Sequence, residues 1–95
     1  MIKKTKFKDL IVINKDKFKD NRGYFQEIYK ENRIKRKFPF VVMSYSKKNV
    51  LRGLHIQRKK PQGKIVSVLK GQIYDVALDL RKNSSTFGKV FKCIL

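Results

Sequence analysis

This chain of 95 residues contains little cysteine, histidine or acid, and it has no tryptophan. The single cysteine, Cys93, excludes an internal disulfide, and with the single histidine, His55, it excludes a zinc site built from several thiolates or imidazoles. No apolar run approaches the roughly 20 residues that cross a bilayer, and the basic segment 1–8 lacks the apolar stretch of a signal peptide. We therefore expect no membrane segment, no metal site and a cytoplasmic location.

Several nucleotide and nucleophile motifs are also missing. The sequence has no Gly-x-Gly-x-x-Gly or Walker-type loop, which excludes those two ways of holding phosphate groups. It has no Gly-x-Ser-x-Gly segment, which excludes the serine nucleophile of the α/β-hydrolases. Any chemistry must therefore come from the one imidazole and from cationic side chains.

Acidic residues are few, at 7 against 25 lysines and arginines, so the formal net charge is +18. Such an excess raises affinity for polyanions, and nucleic acid is the obvious one. However, the lysines are scattered, the clusters at residues 3–8 and 33–37 are short, and no nucleic-acid-binding motif accompanies them. A solvated lysine-rich surface is the favoured interpretation. A small basic β-domain that binds nucleic acid through interleaved aromatic side chains remains the alternative.

The apolar pattern is that of β-structure. A hydrophobic fraction of 41% with seven Phe and four Tyr indicates a folded chain, and its length allows a single domain over residues 1–95. Short strands at this spacing predict an all-β sandwich or barrel, with one helical turn in residues 30–37 and turn formers in residues 16–23. Because the chain ends inside an apolar strand, we expect a longer protein or a partner subunit to cover that edge. The predicted strands are residues 7–14, 24–29, 40–46, 50–57, 64–69, 73–80 and 89–95.

The segment Arg52-Gly53-Leu54-His55 carries the only imidazole, on a predicted strand. Histidine is the side chain that most readily exchanges a proton near neutral pH, so His55 is a candidate general base. Arg52 next to it suits an anionic substrate, and a bend at Gly53 would let both side chains face one pocket. The alternative is a half-exposed strand histidine without chemistry.

Two further groups of residues are candidates. Lys64 opens the predicted strand after a Pro-Gln-Gly turn, and antiparallel pairing would bring its ammonium near His55, where it would stabilise an enolate. Asp75 and Asp79 share one face of their strand, so either could orient the imidazole or form an ion pair. Arg22, beside a turn glycine, could bind a phosphate, and Glu27 could bind the edge of a base. The alternative is a hairpin turn followed by an exposed glutamate, without a binding role.

Four ordered motifs, from about residue 16 to residue 88, resemble those of the dTDP-4-dehydrorhamnose 3,5-epimerases. Their order and spacing cover most of the chain, which makes the resemblance specific. The motifs are Arg22-Gly-x-Phe-x-Glu27, Leu51-Arg-Gly-Leu-His-x-Gln57, Gln62-Gly-Lys-x-Val66 and Asp75-Val-Ala-x-Asp-x-Arg-Lys-x-Ser-x-Thr-Phe-Gly88.

The resemblance implies a cupin-type jelly roll, incomplete at its C-terminus, that forms homodimers and uses neither metal nor organic cofactor. The implied reaction inverts C3 and C5 of a dTDP-linked 4-keto-6-deoxy sugar. By this resemblance His55 is the base that removes the proton next to the ketone, and Lys64 stabilises the enolate. Arg52 binds the sugar nucleotide, and Arg22 and Glu27 belong to a nucleotide site that can be shared across the dimer.

Two departures from the family pattern qualify these expectations. Members of the family usually carry Gln and Asn where this chain has Val42 and Ser44, so a related keto-sugar is an alternative substrate. The family is also nearly twice as long, and its second half supplies a tyrosine acid, the aspartate that pairs with the histidine, and the strands that close the barrel. A sugar-nucleotide-binding remnant without catalysis is therefore a further alternative.

Overall fold

The computed structural model describes all 95 residues, and its regular structure consists of six short strands and one helical turn. None of its helices is long and apolar enough to cross a membrane. The elements are β1 (Ile2–Lys4), β2 (Ile11–Ile13), β3 (Lys17–Asp20), β4 (Gly23–Gln26), α1 (Glu31–Ile34), β5 (Tyr74–Leu78) and β6 (Val90–Ile94).

The strands form three antiparallel hairpins, which pair β1 with β2, β3 with β4, and β5 with β6. In the second hairpin Phe18 lies opposite Phe25 and Asp20 opposite Gly23, so the connecting turn is only two residues long. In the third hairpin Asp75 lies opposite Cys93. The backbone is therefore organised by local pairings between strands that are close in sequence.

The sequence-based strands are confirmed in part. The predicted strands 73–80 and 89–95 correspond to β5 and β6, and the predicted helical turn corresponds to α1. The prediction of one strand over residues 7–14 is wrong, since this strand begins only at Ile11 and pairs with the unpredicted β1. Residues 16–23 are predicted as a turn, but half of them form β3 and the turn itself is limited to residues 21–22.

The predicted strands 40–46, 50–57 and 64–69 are absent from the structure. A strand requires a neighbour that accepts and donates its backbone hydrogen bonds, and no β-ladder forms in this part of the chain. Most of the apolar side chains there are exposed, among them Val41 and Leu51. The apolar pattern is therefore present, but the pairing that it predicts is not formed.

The chain divides into two compact units, Met1–Lys30 with Ser67–Leu95, and Glu31–Val66. No apolar side chain is fully buried in either unit, and the only buried residues are Asp79 and Thr86. The unit that contains β1 to β6 is organised around its polar and aromatic contacts. The division leaves the predicted single domain over residues 1–95 as a prediction.

The turn of the first hairpin contacts the third hairpin. The Thr5 hydroxyl donates to the Leu10 carbonyl oxygen at 2.7 Å and accepts from the Phe7 amide, which fixes the turn. The rings of Phe7 and Phe91 meet edge to face, with their centroids 5.9 Å apart. The Arg81 guanidinium lies 3.6 Å from a carboxylate oxygen of Asp9. These contacts attach β1–β2 to β5–β6.

Candidate active site

The predicted site residues are distributed over both units. Arg22 and Glu27 belong to the unit that contains the strands, and Arg52, His55 and Lys64 belong to Glu31–Val66. The candidates differ from one another in their hydrogen-bond partners and in their exposure.

Arg22 occupies the two-residue turn between β3 and β4, where Asp20 holds it. The Asp20 carboxylate accepts from the Arg22 backbone amide at 2.8 Å, from Nε at 3.2 Å and from Nη2 at 2.7 Å. The Arg22 side chain hydrogen bonds, followed by the backbone one, lower the pKa of Asp20 below its ordinary value. Arg22 is therefore part of a charge-neutral pair on an exposed turn.

Glu27 follows β4 directly and is half-buried. The preceding Gln26 side chain donates to the Lys15 carbonyl oxygen at 3.4 Å, which attaches the end of β4 to the segment before β3. The Lys15 ammonium in turn donates to the Ser67 hydroxyl at 2.8 Å, and partial burial lowers the pKa of Lys15. The two hydrogen bonds thus join the residue before Glu27 to Lys15, and Lys15 to Ser67.

Arg52 is held by neutral groups only. Its Nε donates to the Ser46 hydroxyl at 2.8 Å, and its Nη2 donates to the Tyr45 carbonyl oxygen at 2.7 Å. No carboxylate offsets its charge in these contacts. Arg52 is therefore oriented by its surroundings and keeps the full positive charge that an anionic ligand requires.

His55 is exposed, and Gly53 shapes the backbone next to it. Gly53 has a φ of +107°, a conformation that side chains strongly disfavour. A Cβ at this position would lie 3.4 Å from Nδ1 of His55 and 3.5 Å from its backbone nitrogen. The glycine thus adopts a backbone conformation that other residues rarely adopt, directly beside the imidazole.

We expect Gly53→Ala to strain the backbone by about 1–3 kcal/mol, because its φ of +107° disfavours any side chain, and relief of this strain would move the adjacent imidazole. The measurement is the NMR signal of the His55 ring together with the urea midpoint of unfolding. Gly63→Ala is the matched control, because Gly63 lacks a positive φ and a Cβ there would meet nothing within 4 Å. Equal effects of the two substitutions would contradict the role given to Gly53.

Lys64 is exposed and begins no strand in the structure. The predicted antiparallel pairing of its segment with the segment of His55 is not formed, since neither segment belongs to a β-ladder. The same absence of a ladder leaves Val42 and Ser44 in irregular, exposed chain. The approach of the Lys64 ammonium to the imidazole therefore stays a prediction.

Asp79 is the one predicted candidate whose role the structure defines closely. Its carboxylate is buried and accepts four side-chain hydrogen bonds, which lower its pKa far below the ordinary value. Arg81 contributes the largest effect, followed by Thr86 and then Ser84. The bonds are Arg81 Nε to Oδ1 at 2.9 Å, Arg81 Nη2 to Oδ2 at 3.1 Å, Ser84 Oγ to Oδ2 at 2.7 Å and Thr86 Oγ1 to Oδ2 at 2.5 Å.

Of the two roles considered for Asp79, the structure thus supports ion pairing. Its carboxylate organises the connection between β5 and β6 and is fully engaged there. Beyond the predicted ion pair, the sequence carries a signal for the whole cluster, because Asp-x-Arg followed by Ser-x-Thr supplies one acceptor and its donors at turn spacing.

The comparisons with known proteins agree with one another. The family model described as dTDP-4-dehydrorhamnose 3,5-epimerase matches residues 4–95. The enzyme of that name from Methanothermobacter thermautotrophicus is 48% identical over 91 residues, covering 90% of this chain and 49% of that protein. The one from Salmonella typhimurium is 46% identical over 93 residues, covering 90% of this chain and 51% of that protein.

A solved structure extends the likeness to the backbone. The crystal structure of dTDP-4-dehydrorhamnose 3,5-epimerase from Elizabethkingia anophelis superposes with a TM-score of 0.82 at 44% identity, covering all of this chain and 56% of that one. This likeness confirms the all-β, cupin-type jelly-roll class, although no closed barrel forms in this chain. The chain is thus built like part of a sugar-nucleotide epimerase.

The chain belongs to the dTDP-4-dehydrorhamnose 3,5-epimerase family, because the family model matches nearly its whole length. It spans about half the length of the curated relatives that it matches.

Proposed function

We propose that the protein takes part in the epimerisation of dTDP-4-dehydro-6-deoxyglucose at C3 and C5, as an isomerase of deoxysugar biosynthesis. The observation that carries the proposal is the family match over residues 4–95, which includes all four motifs with the five candidate residues. The nucleic-acid-binding alternative rests on the charge of +18 and the interleaved aromatic side chains, and it is not favoured because the relatives named above are epimerases.

The proposed chemistry begins with His55. The hydrogen on the carbon next to a ketone is acidic because the resulting carbanion delocalises onto the carbonyl oxygen as an enolate. His55 takes this proton, and the Lys64 ammonium stabilises the negative charge that develops on the oxygen. Return of a proton to the opposite face of the same carbon inverts its configuration, so each inversion needs an acid on the face opposite His55.

The binding roles follow from the environments of the two arginines. Arg52, oriented by neutral acceptors, provides charge for the diphosphate of the substrate. Arg22 and Glu27 contact the nucleotide, in a site completed by a homodimer. The protein works in the cytoplasm, and the resemblance predicts no metal or organic cofactor.

The function is tested by incubating the complete natural protein with dTDP-4-dehydro-6-deoxyglucose and following the sugar ring couplings by proton NMR. We expect a product with inverted C3 and C5. A related dTDP-linked keto-sugar, offered in parallel, tests whether Val42 and Ser44 change the preferred substrate. Tight binding of dTDP with no product from either sugar would favour the non-catalytic binding remnant.

Lys64→Gln is expected to lower the rate of epimerisation by roughly 10²–10³-fold, because a neutral amide stabilises the enolate oxygen less than an ammonium does. The affinity for dTDP should not change, since Lys64 acts on the sugar. Lys59→Gln is the matched control, which removes one exposed lysine from the preceding loop. A rate that falls no further for Lys64→Gln than for Lys59→Gln would contradict the role of Lys64.

A further inference from the structure

The chain contains the same local arrangement twice, an aspartate that holds the arginine two residues later. Asp20 accepts from the backbone amide, Nε and Nη2 of Arg22. Asp79 accepts from the same three groups of Arg81. In each case the backbone hydrogen bond fixes the turn and the two side-chain hydrogen bonds fix the plane of the guanidinium.

The surroundings of the two pairs differ. The Asp79 carboxylate is 3% exposed and also accepts from Ser84 and Thr86, so it serves the packing of its own hairpin. The Asp20 carboxylate is 48% exposed, and the Arg22 side chain is 86% exposed. An exposed ion pair of this kind contributes little to stability. The Asp20 contact therefore matters mainly for the orientation and the charge of the Arg22 guanidinium.

The contact has two effects on Arg22. It holds the guanidinium by Nε and Nη2 and leaves Nη1 directed away from the carboxylate, available to donate to a ligand. It also offsets the charge of the guanidinium. Arg52, by contrast, is oriented by a hydroxyl and a carbonyl oxygen and keeps its charge. The two predicted ligand-binding arginines thus differ in net local charge.

We propose that Asp20 is a positioning residue for Arg22, which makes the contribution of Arg22 to nucleotide binding directional and only weakly dependent on salt. Arg52 supplies the salt-dependent attraction for the diphosphate. This inference rests on the proposed function, because it takes dTDP as the ligand. It assigns a role to Asp20, which none of the four motifs includes.

The test measures the dissociation constant of dTDP by calorimetry, at about 50 mM and about 500 mM NaCl, with the complete natural protein. For Arg22→Gln we expect the same fold loss of affinity at both salt concentrations. For Arg52→Gln we expect a loss that shrinks at the higher concentration, where screening removes the electrostatic part. Equal salt dependence of the two losses would overturn the distinction.

Asp20→Asn is the decisive variant. It releases the guanidinium and exposes its charge, so at low salt the lost orientation is partly offset by stronger attraction to the diphosphate. At high salt this attraction is screened, and we expect the affinity to fall by about tenfold, as for the loss of one well-aligned charged hydrogen bond. Affinity that is unchanged at both salt concentrations would overturn the inference.

Asp16→Asn is the matched control for charge. Asp16 is exposed and lies four residues earlier, and its substitution changes the net charge equally without touching Arg22. We expect its affinity for dTDP at high salt to equal that of the natural protein, and an equal loss for both variants would overturn the positioning role. Failure of the unsubstituted protein to bind dTDP would instead overturn the proposed function, and the inference with it.

Discussion

His55→Asn is expected to abolish exchange between solvent protons and the sugar, with a loss of roughly 10²–10⁴-fold in rate. Asparagine resembles the imidazole in size and polarity but cannot take up a proton at neutral pH. The measurement is the incorporation of deuterium from heavy water into dTDP-4-dehydro-6-deoxyglucose, followed by mass spectrometry, with the complete natural protein.

The affinity for dTDP provides the control for this variant. In the proposed mechanism His55 acts on the sugar ring, so the substitution should leave the dissociation constant of dTDP unchanged. Loss of exchange together with loss of dTDP binding would indicate a disturbed site rather than a missing base. Exchange at the natural rate would show that another group removes the proton, and the assignment of His55 would be wrong.

Asp79→Asn is expected to have the largest effect on stability of any single substitution at an acidic residue. The buried carboxylate accepts hydrogen bonds from Arg81, Ser84 and Thr86, and an asparagine amide would place N–H donors against some of these donors. Arg81 would also lose the partner that holds it beside Asp9, and with it a contact between the first and third hairpins. We expect the thermal midpoint to fall by several degrees, measured by circular dichroism.

Asp20→Asn is the matched control for this experiment, because it removes the same Asp-x-Arg contact on an exposed turn. Its thermal midpoint should stay close to that of the natural protein. If the two variants were equally stable, the buried cluster would not organise the β5–β6 connection.

The contribution of the Asp79 cluster to stability should also depend on pH in the acid range. The pKa of Asp79 is far lower in the folded chain than in the unfolded one, where it is near 3.9. The ionised carboxylate therefore stabilises the folded state at neutral pH, and this contribution is lost as the pH falls below about 4 towards the folded pKa. We expect the stability of Asp79→Asn to depend less on pH in this range than that of the natural protein.

The sequence predicted β5 and β6 best, whereas it missed β1 and β3, which also pair with strands close in sequence. Strands β5 and β6 are rich in apolar residues and pair across one connection, so both are found where the pattern places them. The segments around Val41, Leu51 and Ile65 have patterns as clear as these. They form no strands here because a strand also requires a paired neighbour, which the pattern of a single segment does not provide.

In the candidate site, too, the sequence predicts some features and misses others. The motifs predict Arg22, Arg52 and His55 as site residues, and the positive φ at residue 53 is one that glycine readily adopts. The partners of the two arginines were not predicted, since Asp20, Ser46 and the Tyr45 carbonyl are common turn groups with no distinctive spacing. Which acceptor an arginine selects depends on the conformation of the turn, which composition does not specify.

The central claim is that this protein removes protons next to the ketone of a dTDP-linked sugar. The most direct test is the mass of dTDP-4-dehydro-6-deoxyglucose and its product after incubation with the complete natural protein in heavy water. We predict the incorporation of two solvent deuterium atoms, one at C3 and one at C5. A sugar that remains free of deuterium while dTDP binds would contradict the claim and leave a protein that binds sugar nucleotides without acting on them.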